Sequence, residues 1–231
     1  MATRASWVPP RCRRMDGWLA LDPTLPDAHF GLGQIAHRQG DLQRALRHYR
    51  QALQQAPGQR RYRTNLAGLL LDLGDFPAAL AEYENLLSAP PRPILTRLDA
   101  GKAARRAGDL KRALEHHEQL LRDLAGSDPA AADDDAAEWI FGTGATRIII
   151  DSAERKRAYI GLTVALTRDL AGDPDGAAAL LRALANLPEQ PRALDALDRD
   201  RALLTAAQPG WAERIDRFRR RLDAGDVESR R

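Results

Sequence analysis

The hexapeptides GDLQRA (residues 40–45), GDFPAA (residues 74–79) and GDLKRA (residues 108–113) begin at a constant interval of 34 residues. Each lies between two stretches in which apolar residues recur at steps of three and four, as in an amphipathic helix. Glycine suits the left-handed backbone position after a helix, and aspartate is a preferred N-cap of the next helix. The hexapeptides therefore predict three helix–turn–helix units of equal length.

Two further positions repeat with the same period, a small residue in the first helix of each unit and a ring in the second. Small residues are needed where paired helices cross closely, because a larger side chain would push the axes apart. A fourth unit begins near Ala158 and has its own turn at Gly172-Asp173. The small residues are Gly33, Ala67 and Gly101, and the rings are those of Tyr49, Tyr83 and His117.

This pattern resembles that of the tetratricopeptide-repeat (TPR) family, more closely over residues 26–125 than over residues 158–191. The resemblance implies an all-α, TPR-type α-solenoid in which antiparallel helix pairs stack in a right-handed superhelix. It implies a fold rather than a pathway, because repeat arrays of this kind serve many functions.

The regions around the repeats complete the predicted organisation. Trp18 and Leu21 match the end of a second helix, so the chain starts on what looks like half a repeat. The expected segments are a truncated half repeat (1–25), three TPR units (26–125), a linker with a strand-like insertion (126–157), a fourth unit (158–191), and C-terminal capping helices with a tail (192–231).

The insertion between the third and fourth units has a different character from the repeats. Glu138–Phe141 and Thr146–Ile150 are rich in aromatic and β-branched residues, and Gly142-Thr143-Gly144-Ala145 separates them. The pattern predicts strand, turn and strand, which is a short β-hairpin-like insertion. An isolated hairpin is marginal in water, so it should lie against the solenoid or a partner.

Composition and charge limit the function classes. Lys+Arg 35 against Asp+Glu 32 gives a net charge of +3, a weak signal for a nucleic-acid binder. Cys12 is the only cysteine, which excludes an internal disulfide and a multi-cysteine metal site. Neither a membrane span nor a signal peptide is evident, so the chain as written predicts a cytoplasmic protein. A missing true N-terminus would leave a periplasmic or secreted protein open.

Sequence motifs for chemistry are absent, so we expect no enzyme, cofactor or metal. Gly142-Thr143-Gly144 lacks the lysine of a phosphate loop, and Asp133–Asp135 lacks the spacing of a calcium loop. His116 and His117 are adjacent on a predicted helix and point in different directions. No nucleophile stands at a recognisable spacing from a base.

The TPR resemblance implies a concave groove lined by the first helix of each unit, which holds a peptide or a helix of another protein. The expected groove is basic with some apolar surface, so a ligand with carboxylates is favoured, as an acidic or C-terminal segment. The candidate partner-binding residues are Phe30, Gln34, His37, Arg38, Arg61, Asn65, Leu98, Lys102, Arg105 and Arg106.

The leading hypothesis is therefore a non-catalytic scaffold or adaptor that binds a partner protein in this groove, with no small-molecule substrate. One alternative, from the half repeat, is an accessory TPR domain of a longer enzyme or secreted protein. Another, from the arginine-rich helix after Pro209, is a nucleic-acid-binding accessory protein. If Arg105 and Arg106 lie on the groove surface, reversing both to glutamate should weaken binding and leave the fold intact.

Overall fold

A computed structural model describes residues 22, 24–90, 94–126, 139–141, 148–150, 152–184 and 190–223. The predicted half repeat at 1–25 and the tail after residue 223 lie almost wholly outside these ranges. The chain divides into two compact units, unit 1 up to Pro91 and unit 2 from Arg92. Each unit is built from helix pairs of the TPR type, as the resemblance implies, and each is described by itself below.

The described residues of unit 1 form two helix pairs. Helix α1 packs on α2 and α3 packs on α4, and α2 also packs against α3, so the pairs are stacked in order. The helices are α1 (Pro26–Arg38), α2 (Leu42–Gln55), α3 (Arg60–Asp72) and α4 (Phe76–Leu87).

The predicted turns are confirmed. The glycines that open the three hexapeptides all have positive φ, between 77° and 87°. The aspartate that follows each glycine accepts a hydrogen bond from a backbone N–H three residues on, which caps the next helix. A fourth turn at Gly172 has the same backbone, with φ 90°.

A contact between the small residue of the first helix and the ring of the second explains how the paired helices approach closely. Tyr49 is fully buried, and a Cβ added at Gly33 would lie 2.5 Å from Cδ1 of that ring. In unit 2 a Cβ added at Gly101 would lie 2.3 Å from Nε2 of His117. Both distances are shorter than any real contact, so glycine is required by packing at these positions.

Replacing Gly33 with alanine should lower the free energy of unfolding by about 1 kcal/mol. Overpacking costs roughly 1–3 kcal/mol, of which the better helix propensity of alanine recovers up to about 1 kcal/mol. Gly68 is the matched control, because it lies within α3 and a Cβ there would meet nothing within 4 Å. Gly68→Ala should raise the free energy of unfolding, which urea unfolding of both variants measures. If Gly33→Ala raised it as well, the packing at Gly33 would not be tight.

In unit 2 the described segments form the remaining helices and one strand pair. Strands β1 and β2 are antiparallel with Ile140 opposite Ile149, and β2 lies beside α9. The strands fall in the segments predicted to be extended, whereas the predicted turn between them lies outside the described residues. The elements are α5 (Ile94–Ala107), α6 (Leu110–Gly126), β1 (Trp139–Phe141), β2 (Ile148–Ile150), α7 (Ala153–Ala171), α8 (Pro174–Leu184), α9 (Gln190–Ala207), a 3₁₀ turn (Pro209–Trp211) and α10 (Ala212–Asp223).

Helix α9 does not simply extend the series of helix pairs. Helices α5 and α7 are the first helices of their pairs, with α6 and α8 as their partners. Among the described residues of unit 2, α9 packs mainly on α7 and also reaches α5. The face of unit 2 formed by the first helices therefore carries a helix from the same chain.

Candidate functional site

A cavity of about 370 Å³ lies between α1 and α3, which are first helices of their pairs in unit 1. We call the residues that line it the unit 1 surface. They come from the last turns of α1, from the middle of α3 and from the ring of α2 that packs on Gly33. They are Gln34, His37, Arg38, Tyr49 and Asn65.

The polar groups of the unit 1 surface differ in how far they are already engaged. Nε2 of His37 lies 2.8 Å from Oδ2 of Asp72, and the Asn65 amide donates to the carbonyl oxygen of Arg61. Arg38 is exposed, and its guanidinium has no hydrogen bond or ion pair with any residue that the structure describes. Its charge still acts on Tyr49, whose pKa burial raises to about 12, so that hydroxyl stays protonated.

Phe30 and Arg61 belong to a neighbouring cluster in which their side chains already contact other residues of unit 1. Phe30 is 3% exposed and stacks on Tyr62, with ring centroids 4.7 Å apart. The Arg61 guanidinium lies 4.6 Å from the centre of the Phe30 ring and pairs with Asp27 at 2.9 Å. The expectation of an accessible Phe30 is therefore wrong, because this ring fills the core between α1 and α3.

The four candidates in unit 2 lie in a different environment from the one expected. Leu98 and Arg105 are 2% and 1% exposed, and the side chains of Lys102 and Arg106 are mostly buried. The expectation that Leu98 and Arg105 are groove surface is wrong. Leu98 is part of the apolar core of unit 2, and helix α9 covers Arg105.

The contact that buries Arg105 is an ion pair with Asp200 of α9. Arg105 Nη2 pairs with one carboxylate oxygen and Arg106 Nη2 lies 3.3 Å from the other, while Asp200 is 4% exposed. Gln208 Nε2 donates to the carbonyl oxygen of Arg106 at 2.7 Å. Burial lowers the pKa of Arg105 to about 10, so the guanidinium is still charged at neutral pH. Asp200 is therefore the counter-ion of a buried cation.

Asp200 and Gln208 are functional candidates that sequence reasoning missed. One signal for Asp200 exists in the sequence, since it falls between Leu197 and Leu204 on one helical face. A lone acidic residue on an apolar face indicates a buried partner. The expectation that reversing Arg105 and Arg106 leaves the fold intact assumed exposed side chains. Since both arginines pair with the buried Asp200, we now expect the reversal to destabilise the fold, because two glutamates would face a buried aspartate.

The described part of the chain offers little for other kinds of site. No group of three histidine, cysteine, aspartate or glutamate side chains within it could hold a metal ion. None of its helices is both long and apolar enough to cross a membrane.

Comparison with known proteins agrees with the repeat architecture. Two tetratricopeptide-repeat family models match the chain, over residues 36–100 and residues 4–60. A search of curated proteins found no match.

Solved structures share the fold at low sequence identity. YrrB, described as a TPR protein with an unusual peptide-binding site, is 16% identical, with 81% of each chain covered and a TM-score of 0.59. MamA from AMB-1 is 14% identical, with 77% of this chain and 81% of the other covered and a TM-score of 0.58. MamA from Desulfovibrio magneticus RS-1 is 15% identical, with 76% and 82% covered and a TM-score of 0.55.

These structures establish a common fold only, because their identity to this chain is low. The repeated turns, the small residues packed on rings and the two family models point to the same conclusion. The chain contains tetratricopeptide repeats, which the two family models match within residues 4–100.

Proposed function

We propose that the chain is a non-catalytic protein-interaction scaffold or adaptor, and that the unit 1 surface holds an acidic or C-terminal segment of a partner protein. The observation that carries the proposal is Arg38, an exposed cation beside a cavity and without an ion pair among the described residues. The fold supports it, since YrrB, a TPR protein of the same fold, has a peptide-binding site.

The chemistry of the unit 1 surface suits a carboxylate. Arginine binds carboxylates through charge-assisted and often bidentate hydrogen bonds. Gln34 and Asn65 are partly exposed side-chain amides on the same cavity and can donate further hydrogen bonds. The proposal therefore keeps Gln34, His37, Arg38 and Asn65 as ligand contacts, with Arg61 at the rim.

The candidate residues of unit 2 are less accessible to a partner than those of unit 1. Asp200 of the same chain already engages Arg105 and Arg106, and Leu98 lies in the core. Lys102 lies 4.0 Å from Asp99, and its side chain is 12% exposed. An external ligand would have to displace Asp200 before its carboxylate could pair with Arg105 or Arg106.

Arg38→Glu should weaken the binding of a native partner at least about tenfold, or about 1.4 kcal/mol. The reversal removes the cation and repels the carboxylate of the ligand. A partner is first captured from the native host and identified by mass spectrometry. The purified partner is then titrated against wild type and variant by calorimetry.

Arg50→Glu is the matched control, because Arg50 is exposed on α2, the second helix of its pair, and does not line the cavity. Both variants should keep the helical circular dichroism of the wild type, since exposed substitutions change stability by less than about 0.5 kcal/mol. Equal affinity of the wild type and a folded Arg38→Glu variant would refute the proposed site.

A further inference from the structure

We propose that His29 and His48 bind a divalent metal ion of the class that prefers imidazole ligands, with Zn²⁺ as its representative. The two histidines lie on α1 and α2, which form one helix pair, and both side chains are partly exposed. Neither lines the cavity of the unit 1 surface, so this site is separate from the proposed partner site. A metal bound by both rings would hold the two helices of the pair together.

The distance between the two rings suits a shared metal ion. Nδ1 of His29 lies 3.2 Å from Nδ1 of His48, and the ring centroids are 5.5 Å apart. Zinc binds histidine nitrogens at about 2.0–2.1 Å, so two nitrogens on one tetrahedral ion lie about 3.3–3.4 Å apart. The two nitrogens would therefore have to separate by only about 0.1–0.2 Å to fit the ion.

The proton between the two rings is what the metal ion would replace. One Nδ1 donates a hydrogen bond and the other accepts it, since a neutral imidazole carries one proton. A metal ion needs the lone pair of both Nδ1 atoms, so both rings then carry their proton on Nε2. One ring changes its tautomer by proton exchange with water, and two neutral rings release no net proton. Water fills the remaining coordination positions of the ion.

The internal repeat shows that these two positions bring side chains of paired helices into contact. One interval of 34 residues relates His29 to Arg63 and His48 to Glu82. Nη1 of Arg63 lies 2.5 Å from Oε2 of Glu82, so the next helix pair has an ion pair at the place where the first has two imidazoles. Two neutral imidazoles have no opposite charges, and a cation bound by both lone pairs would take over the role of that ion pair.

The donor atoms determine the class of ion. Imidazole suits zinc, copper and nickel, whereas magnesium and calcium prefer oxygen ligands. Arg44 lies one turn before His48 on α2 and is exposed, so water and salt screen its charge from the ion. A metal motif is not visible in the sequence, because the two histidines are 19 residues apart and lie on different helices.

Calorimetric titration of the full-length chain with ZnCl₂ tests the site. We expect His29→Gln and His48→Gln each to weaken zinc binding at least about tenfold, because even an outer-shell partner of a metal ligand commonly contributes that much. His116→Gln is the matched control and should bind as wild type does. His116 has the position of His48 two intervals later, and the position opposite belongs to Arg97 instead of a histidine.

A double variant distinguishes loss of the ligands from loss of the fold. His29→Arg combined with His48→Glu copies the ion pair of Arg63 and Glu82. The double variant should keep the helical circular dichroism of the wild type, while its zinc affinity should fall as in the single variants. Wild-type zinc affinity in this folded double variant would refute the site.

The thiol of Cys12 can also bind zinc, so Cys12→Ser is a second control and should keep the wild-type affinity. In ¹H–¹⁵N spectra of the imidazole rings, zinc should shift two of the five histidines. Their signals should be the ones that are missing from the spectra of His29→Gln and His48→Gln. The proposal is overturned if wild type does not bind zinc, if binding survives both single substitutions, or if Cys12→Ser abolishes it.

Discussion

Replacing Asp200 with asparagine is expected to lower the free energy of unfolding by about 3–5 kcal/mol, the usual cost of removing one partner from a buried ion pair. The guanidinium of Arg105 is 1% exposed and would keep its charge without a carboxylate to balance it. The change also removes the ion pair with Arg106 at 3.3 Å. Urea unfolding followed by circular dichroism measures the loss.

Asp216→Asn is the matched control for this prediction. Asp216 pairs with Arg201 at 3.0 Å in the same unit, but its side chain is 58% exposed. Exposed ion pairs contribute about 0–1 kcal/mol, so the same substitution there should cost little. Equal losses at Asp200 and Asp216 would mean that α9 does not bury the pair.

A double substitution distinguishes the cost of leaving the Arg105 charge unpaired from the contribution of the ion pair itself. Arg105→Met combined with Asp200→Leu replaces the ion pair with apolar side chains, which is often neutral or stabilising for buried pairs. The double variant should therefore recover most of the stability that Asp200→Asn loses. A double variant no more stable than Asp200→Asn would show that the ion pair itself, rather than the unpaired charge, supports the position of α9.

The sequence predicts the features of this fold that depend on neighbours in the chain. The Gly-Asp turns are local, because the backbone needs a positive φ at Gly40 and a cap at Asp41 within three residues. The contact between Gly33 and Tyr49 is also within reach of a repeat, since it connects two helices of one pair. Because each repeat carries the same turn and the same pair of packing positions, the sequence indicates these features several times.

The environment of the candidate site could not be predicted in the same way. Arg105 occupies a position that faces the groove in the repeat pattern, and nothing within its own repeat indicates burial. Its carboxylate partner comes from Asp200, 95 residues later, on a helix outside the regular period. A repeat pattern specifies contacts between adjacent helices, whereas the placement of α9 depends on how a segment beyond the fourth unit returns to α7 and α5.

Acidification should destabilise the protein through His117. Burial, together with the nearby positive charges of Arg105 and Lys102, holds the pKa of His117 well below its usual value of 6.5. The folded protein therefore keeps this ring neutral, while the unfolded chain gains a proton below about pH 6.5. As the pH falls, each proton that only the unfolded state binds lowers the free energy of unfolding by up to about 1.4 kcal/mol per pH unit. Between pH 6.5 and pH 5 the loss should be at most about 2 kcal/mol.

His117→Phe removes this proton uptake and keeps a ring against Gly101, the role that Tyr49 has against Gly33. Between pH 6.5 and pH 5 the variant should lose less stability than wild type in urea unfolding, by up to about 2 kcal/mol. His116→Phe is the control, because His116 is partly exposed on the same helix and is not the ring that packs on Gly101. If wild type and His117→Phe share one pH dependence, His117 can take up a proton within the folded unit. The ring position would then have to open towards water, which the close contact with Gly101 opposes.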